Sequence, residues 1–232
     1  MSAALIEARA LARSFGPTPV LRGINLAIEA GRGVAITGAN GAGKSTLIRL
    51  LAGLAAPTSG SALLFGEPAC SLAPALRRRI GLLTHQSFLY PNLTARENLD
   101  FYATLYGLDD RRGAVDRWLE RVGLAGAGDG RVRGFSRGME QRLALARTML
   151  AAPDVLLLDE PLSALDADGA ALALAFMREA MARGAAVLVS AHQSRPLEEL
   201  GFESLALVRG RLVRPQAPRA PTQAVSRPVA MG

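Results

Sequence analysis

The chain of 232 residues has one cysteine, two histidines, one tryptophan and a single lysine. Cys70 alone closes no internal disulfide and builds no Cys-x-x-Cys metal or redox motif, which fits a reducing compartment. No apolar run approaches the ~18 residues of a membrane span. The opening residues 1–9 lack the basic-then-apolar order of a signal peptide, so a cytoplasmic location is expected. Aromatics make up only 5% against 50% hydrophobic residues, which predicts an aliphatic core. No internal repeat is present. The net charge of +7 does not read as a nucleic-acid footprint. Arg209, Arg211, Arg214, Arg219 and Arg227 crowd the end of the chain, and the runs Arg77-Arg78-Arg79 and Arg111-Arg112 have no interleaved aromatics. No nucleic-acid partner is expected.

The scarcity of lysine is informative, because all 26 other basic side chains are arginine. Lys44 lies in Gly38-Ala39-Asn40-Gly41-Ala42-Gly43-Lys44-Ser45-Thr46, a match to the phosphate-loop pattern G-x-x-x-x-G-K-[ST]. A compact ammonium fits inside a cradle of backbone N–H groups where a planar guanidinium fork does not. Val34–Thr37 reads as a buried strand entering the glycines, and Thr46–Leu54 as a helix leaving them. Strand, glycine loop and helix are the context the motif requires, with the helix N-terminus facing the phosphates. The chain is therefore expected to bind ATP or a close relative.

Further along, Leu156-Leu157-Leu158-Asp159-Glu160 is an apolar strand ending in two carboxylates, at the end of a nucleotide-binding sheet that faces the ligand. Asp159 is expected to help hold Mg²⁺ with the Ser45 hydroxyl, and Glu160 to orient or deprotonate the attacking water. His85-Gln86 follows the strand Ile80–Thr84; Gln86 is read as reaching the metal or its water, and His85 as structural. His192, at the end of the strand Ala186–Ser190, is read as a catalytic partner for the γ-phosphate or the water.

The whole pattern predicts an α/β fold: a mostly parallel sheet, an antiparallel β subdomain over residues 5–30 and an inserted helical segment at about 87–150. Thr94-Ala95-Arg96-Glu97 is a capping-box signature opening one helix. A glycine-rich loop, 126–134, precedes a second helix beginning near Gly138. Residues 204–213 read as a hairpin turning at Arg209-Gly210. After Arg214 the Pro/Ala/Arg-rich segment 214–232 has little to bury, which predicts disorder.

Gly38–Thr46, Gln86, Phe135-Ser136-Arg137-Gly138-Met139-Glu140-Gln141, Asp159-Glu160, Ser163-Ala164-Leu165-Asp166 and His192 occur in succession. That series resembles the ATP-binding subunits of ABC transporters over about residues 5–213. The resemblance implies an ATPase cassette that works as a dimer, with each ATP held between one subunit's phosphate loop and the other's signature loop. It further implies that Ser136 and Gly138 contact the γ-phosphate across the interface, that Ser163–Asp166 link the two sites, and that Phe15 stacks on adenine. The signature departs from the family's usual Leu-Ser-Gly-Gly-Gln, with Arg137 in place of its first glycine and Met139 in place of its glutamine.

A narrower resemblance runs through Ile80–Tyr90, Leu93–Leu99 and Phe101-Tyr102. It is similar to the ATPase subunits of heme exporters that serve cytochrome c maturation. The chain has no heme-attachment motif, and in such systems the cargo path belongs to a membrane permease. This implies a peripheral subunit on the cytoplasmic face of the membrane, docked to the permease through the helical segment. The alternatives are an engine for another exporter of drug, lipid or polysaccharide, or a soluble ABC switch.

Overall fold

The computed structural model of the chain describes residues 4–214. Two sheets organise it. Strands β1 (Ala4–Phe15) and β2 (Thr18–Glu29) form a long antiparallel hairpin, joined by β4 (Ser59–Leu64) and β5 (Glu67–Pro68) in the order β2-β1-β4-β5. The second sheet holds β3 (Gly33–Thr37), β6 (Ile80–Leu83), β7 (Val155–Asp159), β8 (Ala186–Ser190), β9 (Glu203–Val208) and β10 (Arg211–Val213). Its order is β10-β9-β3-β8-β7-β6, parallel except for the edge strand β10.

Every residue of β7 and β8 is buried, as expected of central parallel strands covered on both faces. The two-residue period of a strand then divides each of them between two cores. Val155, Leu157, Ala186 and Leu188 pack with the antiparallel sheet and helix α1 (Lys44–Leu51). Leu156, Leu158, Val187 and Val189 pack with the helices on the other side. The carboxyl ends of β3, β7 and β8 thus meet in one place, with Asp159 in register with Ser190 and Ser190 with Ile36.

The helical segment expected at about 87–150 resolves into α3 (Ala95–Tyr106), α4 (Arg111–Arg121) and α5 (Arg137–Met149), while a short α2 (Pro74–Arg77) precedes β6. The capping box is present in full. Glu97 N–H donates to Thr94 Oγ1 at 3.1 Å, and Thr94 N–H donates to Glu97 Oε2 at 2.7 Å. Helix α6 (Ala167–Ala182), which the sequence reading did not mark, lies between β7 and β8 and buries Ala173, Phe176, Met177 and Ala180. A last short helix, α7 (Arg195–Glu198), precedes β9. The closing hairpin turns at Arg209 (φ 48°) and Gly210 (φ 76°), as the sequence indicated. Most of the segment read as a disordered tail lies outside the described residues. Among those described, no helix is long and apolar enough to cross a membrane.

Candidate nucleotide site

The loop Gly38–Thr46 runs from the end of β3 into α1, as the motif requires. Gly43 immediately precedes the helix at φ 105°, and a Cβ there would meet Val20 Cγ1 at 2.9 Å. Only glycine suits both the left-handed backbone and this close approach. Lys44 is buried, and its ammonium folds back over the loop, donating to the carbonyls of Gly38 at 2.9 Å and Ala39 at 3.3 Å. Its Nζ also stands 3.8 Å from Glu160 Oε1. A cavity of about 400 Å³ opens here, lined by Asn40, Gly41, Gly43, Lys44, Ser45 and Thr46 on one side and by His85, Glu160 and His192 on the other.

One buried hydroxyl organises the carboxylate side. Ser190, only 1% exposed, donates its Oγ–H to Asp159 Oδ1 and accepts the N–H of Glu160 at 3.0 Å. The same N–H also reaches the Ser190 carbonyl at 3.1 Å. Glu160 takes a left-handed backbone, φ 51°, a conformation that costs a non-glycine residue on the order of 1–3 kcal/mol unless its surroundings enforce it. The two bonds to Ser190 enforce it here, and the turn brings Glu160 Oε2 to 3.0 Å from His192 Nε2. Carboxylate, imidazole and ammonium therefore face the phosphate loop together. Ser190 went unmarked in the sequence reading. Its signal was a lone hydroxyl ending the apolar run Ala186–Val189.

Not every expected residue reaches this cavity. Thr84 Oγ1 donates to the Gln86 carbonyl at 2.9 Å and accepts the Gln86 N–H at 3.2 Å. This local ring turns the chain so that His85, not Gln86, lines the cavity, with His85 Nε2 at 3.7 Å from Asp159 Oδ2. The histidine read as structural thus lines the cavity along with His192. Asp159 opens onto an adjacent polar cavity of about 180 Å³ shared with His85, Arg137 and Glu140. Phe15, Ser136, Gly138 and Asp166 line neither. Phe15 is 54% exposed, with the Arg13 guanidinium 4.7 Å from its ring centroid. Ser136 caps α5, its Oγ accepting the Met139 N–H at 3.3 Å. Asp166 caps α6 by accepting the Gly169 N–H at 2.9 Å and the Arg142 Nη2 at 2.7 Å. The Gly169 N–H first, and then the Arg142 guanidinium, hold the Asp166 carboxyl below its usual range.

For a divalent cation, Ser45 and Asp159 are hard oxygen donors of the kind Mg²⁺ prefers. Ser190 occupies Asp159 Oδ1 and leaves Oδ2 free of any closer partner than His85. Among the described residues no cluster of three or more His, Cys, Asp or Glu side chains could hold a metal unaided. The donor set therefore fits an ion that keeps waters and takes phosphate oxygens from a nucleotide.

A glycine loop closing on a lysine, a strand-end carboxylate pair and a histidine from the next strand, on a mainly parallel sheet, define a phosphate-loop ATPase. The chain belongs to the ABC transporter family, whose sequence pattern matches residues 21–163. It is an ATPase of that family, a transporter subunit in class. Among its relatives, the Nod factor export ATP-binding protein I of Burkholderia orbicola is 35% identical over 222 residues, covering 95% of this chain and 73% of the relative. The cytochrome c biogenesis ATP-binding export protein CcmA of Sodalis glossinidius is 38% identical over 185 residues, covering 80% of this chain and 87% of that protein. Among solved structures, the dimeric ABC transporter cassette MJ0796 superposes with a TM-score of 0.81 at 26% identity, covering 90% of this chain and 97% of that one.

Proposed function

We propose that this chain is the ATP-hydrolysing subunit of a membrane exporter, working as a homodimer on the cytoplasmic face and powering heme export for cytochrome c maturation. The observation that carries the hydrolytic reading is Glu160, held by Ser190 against His192 beside the phosphate loop. In this reading the loop N–H groups and Lys44 hold the β- and γ-phosphates, Glu160 accepts the proton of the attacking water, and His192 fixes the orientation of the Glu160 carboxylate. Mg²⁺, held by Ser45 and Asp159, would neutralise phosphate charge. Ser136, Gly138 and Asp166 do not line the chain's own cavity, which supports a site completed by a second copy; the similar cassette MJ0796 is dimeric.

A permease surface is supported by the exposed aromatics Phe88, Tyr90 and Phe101 with Leu105, on α3 and the loop before it. Tyr90 and Phe101 pack edge to face at 5.0 Å. The heme assignment draws on the sequence of this same region and on the similarity to CcmA. Export of the kind named for the Nod factor relatives is the second reading, favoured by their alignment over 95% of this chain.

Glu160→Gln tests both levels. Retained ATP binding is expected, with hydrolysis lowered about 10²- to 10⁴-fold, the usual worth of a positioned general base. Hydrolysis at the parent rate would overturn the catalytic assignment. The same variant, purified with ATP from solubilised native membranes, should retain its permease. A co-purifying membrane subunit with bound heme supports the first reading, whereas a different permease moves the cargo to the second.

A further inference from the structure

We propose that Arg13 is a positioning residue for base stacking: its guanidinium backs one face of the Phe15 ring and holds the other ready for the nucleotide base. The inference rests on the ATPase reading above, with Phe15 as the stacking ring, and names the residue that fixes that ring.

Phe15 ends β1 at the tip of the first hairpin, paired with Thr18 and followed by Gly16 in a left-handed turn, φ 56°. A phenyl ring 54% exposed at such a tip has little packing to select its rotamer. Arg13, two residues earlier on the strand, supplies that packing. Its guanidinium carbon lies 4.7 Å from the ring centroid, inside the ~6 Å reach of a cation–ring attraction. The guanidinium is itself anchored. Nη1 donates to the Ala56 carbonyl at 2.8 Å, while Nε is buried without a hydrogen-bond partner among the described residues. The loop that carries Ala56 is clamped to the same strand. Thr58 N–H donates to the Ala12 carbonyl at 2.9 Å, and Ser14 N–H donates to Thr58 Oγ1 at 3.0 Å.

The hairpin tip also stands where a base would lie. Val20 follows Thr18 by two residues on β2 and packs against the phosphate loop at Gly43, where a Cβ would meet its Cγ1 at 2.9 Å. Two residues of strand span only about 7 Å. A cavity of about 730 Å³, lined in part by Thr18, Val20, Gly41 and Ala42, joins the loop to the hairpin, and Gly41 borders the phosphate cavity as well. A nucleotide with its phosphates at Lys44 can therefore lay its base on the Phe15 side. With a cation fixed on one face, the ring is held for offset stacking on the other.

The test measures ATP binding to the full-length Glu160→Gln chain, with inorganic tripolyphosphate as the base-free comparison. Arg13→Ala should weaken ATP binding about three- to tenfold, the scale of one cation–ring contact, and change tripolyphosphate binding by less than about twofold. Arg13→Gln offers the Ala56 carbonyl an amide donor without the cation, so it should lose ATP affinity to the same extent; it also serves if the alanine variant fails to fold. In a Phe15→Ala background either substitution should cost less than about twofold, because the ring it acts through is gone. Equal losses for the two ligands, parent-like affinity in Arg13→Gln, or an undiminished loss in the Phe15→Ala background would each overturn the inference. Parent-level ATP affinity in Phe15→Ala alone would remove the stacking ring, and the inference with it, while leaving the phosphate site standing. A Glu160→Gln parent that binds neither ligand would overturn the ATPase reading itself.

Discussion

Arg147 offers a sharp test of how the helical side of the fold is held. It is 4% exposed, yet a carbonyl, a hydroxyl and aromatic rings surround its guanidinium where a carboxylate would ordinarily sit. Nη2 donates to the Leu82 carbonyl at 2.6 Å, the Phe88 and Tyr102 rings lie 5.6 and 5.3 Å away, and Nε has no partner. Desolvation pulls its pKa down, the mark of a cation that burial disfavours. A charge-assisted hydrogen bond contributes roughly 1.5–3 kcal/mol, and each desolvated ring contact about 2 kcal/mol. Against these gains stands a burial cost of several kcal/mol for an ion without a counter-ion. The two nearly cancel, so what the side chain chiefly supplies is volume between β6, α3 and α5. Arg147→Ala should therefore cost about 3 kcal/mol, the range for emptying a buried site. Arg147→Met, which refills the space without the charge, should cost less than about 1.5 kcal/mol, because the Thr148 hydroxyl, whose one proton has the Ala144 carbonyl at 2.8 Å, can turn it to the Leu82 carbonyl at 3.3 Å. Urea unfolding with a constant slope reads both values. A methionine variant as unstable as the alanine variant would refute the cancellation and make the bond to Leu82 the dominant contribution.

Two further outcomes follow from caps. Thr94→Ala removes the hydroxyl of a complete capping box and should cost about 1 kcal/mol, measured as a lower urea midpoint with an unchanged slope. Asp166 concerns pH: its carboxyl is held low by the Gly169 N–H and by Arg142, so the anion favours the folded form. That contribution is complete above the ordinary carboxylate pKa of about 3.9 and is lost as pH falls through the lower folded value. Amide exchange at Gly169 should accelerate in this acid range in the parent, and the acid-dependent component should vanish in Asp166→Asn.

The phosphate loop and the Asp159-Glu160 pair were legible because their chemistry is contiguous: nine residues carry the cradle, and a run of leucines points two carboxylates at it. The capping box was legible for the same reason, since both of its partners lie within four residues. Helix α6 was not. Its buried positions 173, 176, 177 and 180 have helical spacing, but alanines and leucines fill 170–175 and only Arg178 and Glu179 interrupt the later apolar run, so the stripe has little polar contrast. Ser190 was missed because its value depends on strand register: a hydroxyl ending β8 matters only once β8 is known to lie against β7, opposite Asp159.

His85 and Gln86 mark the limit of reading by motif. Both are polar, both follow the same apolar strand, and a strand-end argument treats them alike. What separates them is the Thr84 hydroxyl, which closes a ring with the backbone of Gln86 as the chain leaves the sheet. Side chains alternate across a strand only while the strand continues, and this turn ends the alternation one residue before the choice is made. Which of the two lines the cavity is therefore fixed by a local hydrogen bond rather than by residue type. On that argument, Thr84→Val, which keeps the volume and removes both bonds, should release the loop and speed amide exchange at the Gln86 N–H that the hydroxyl now holds. Unchanged exchange in that variant would show that the sheet edge alone holds the loop in place.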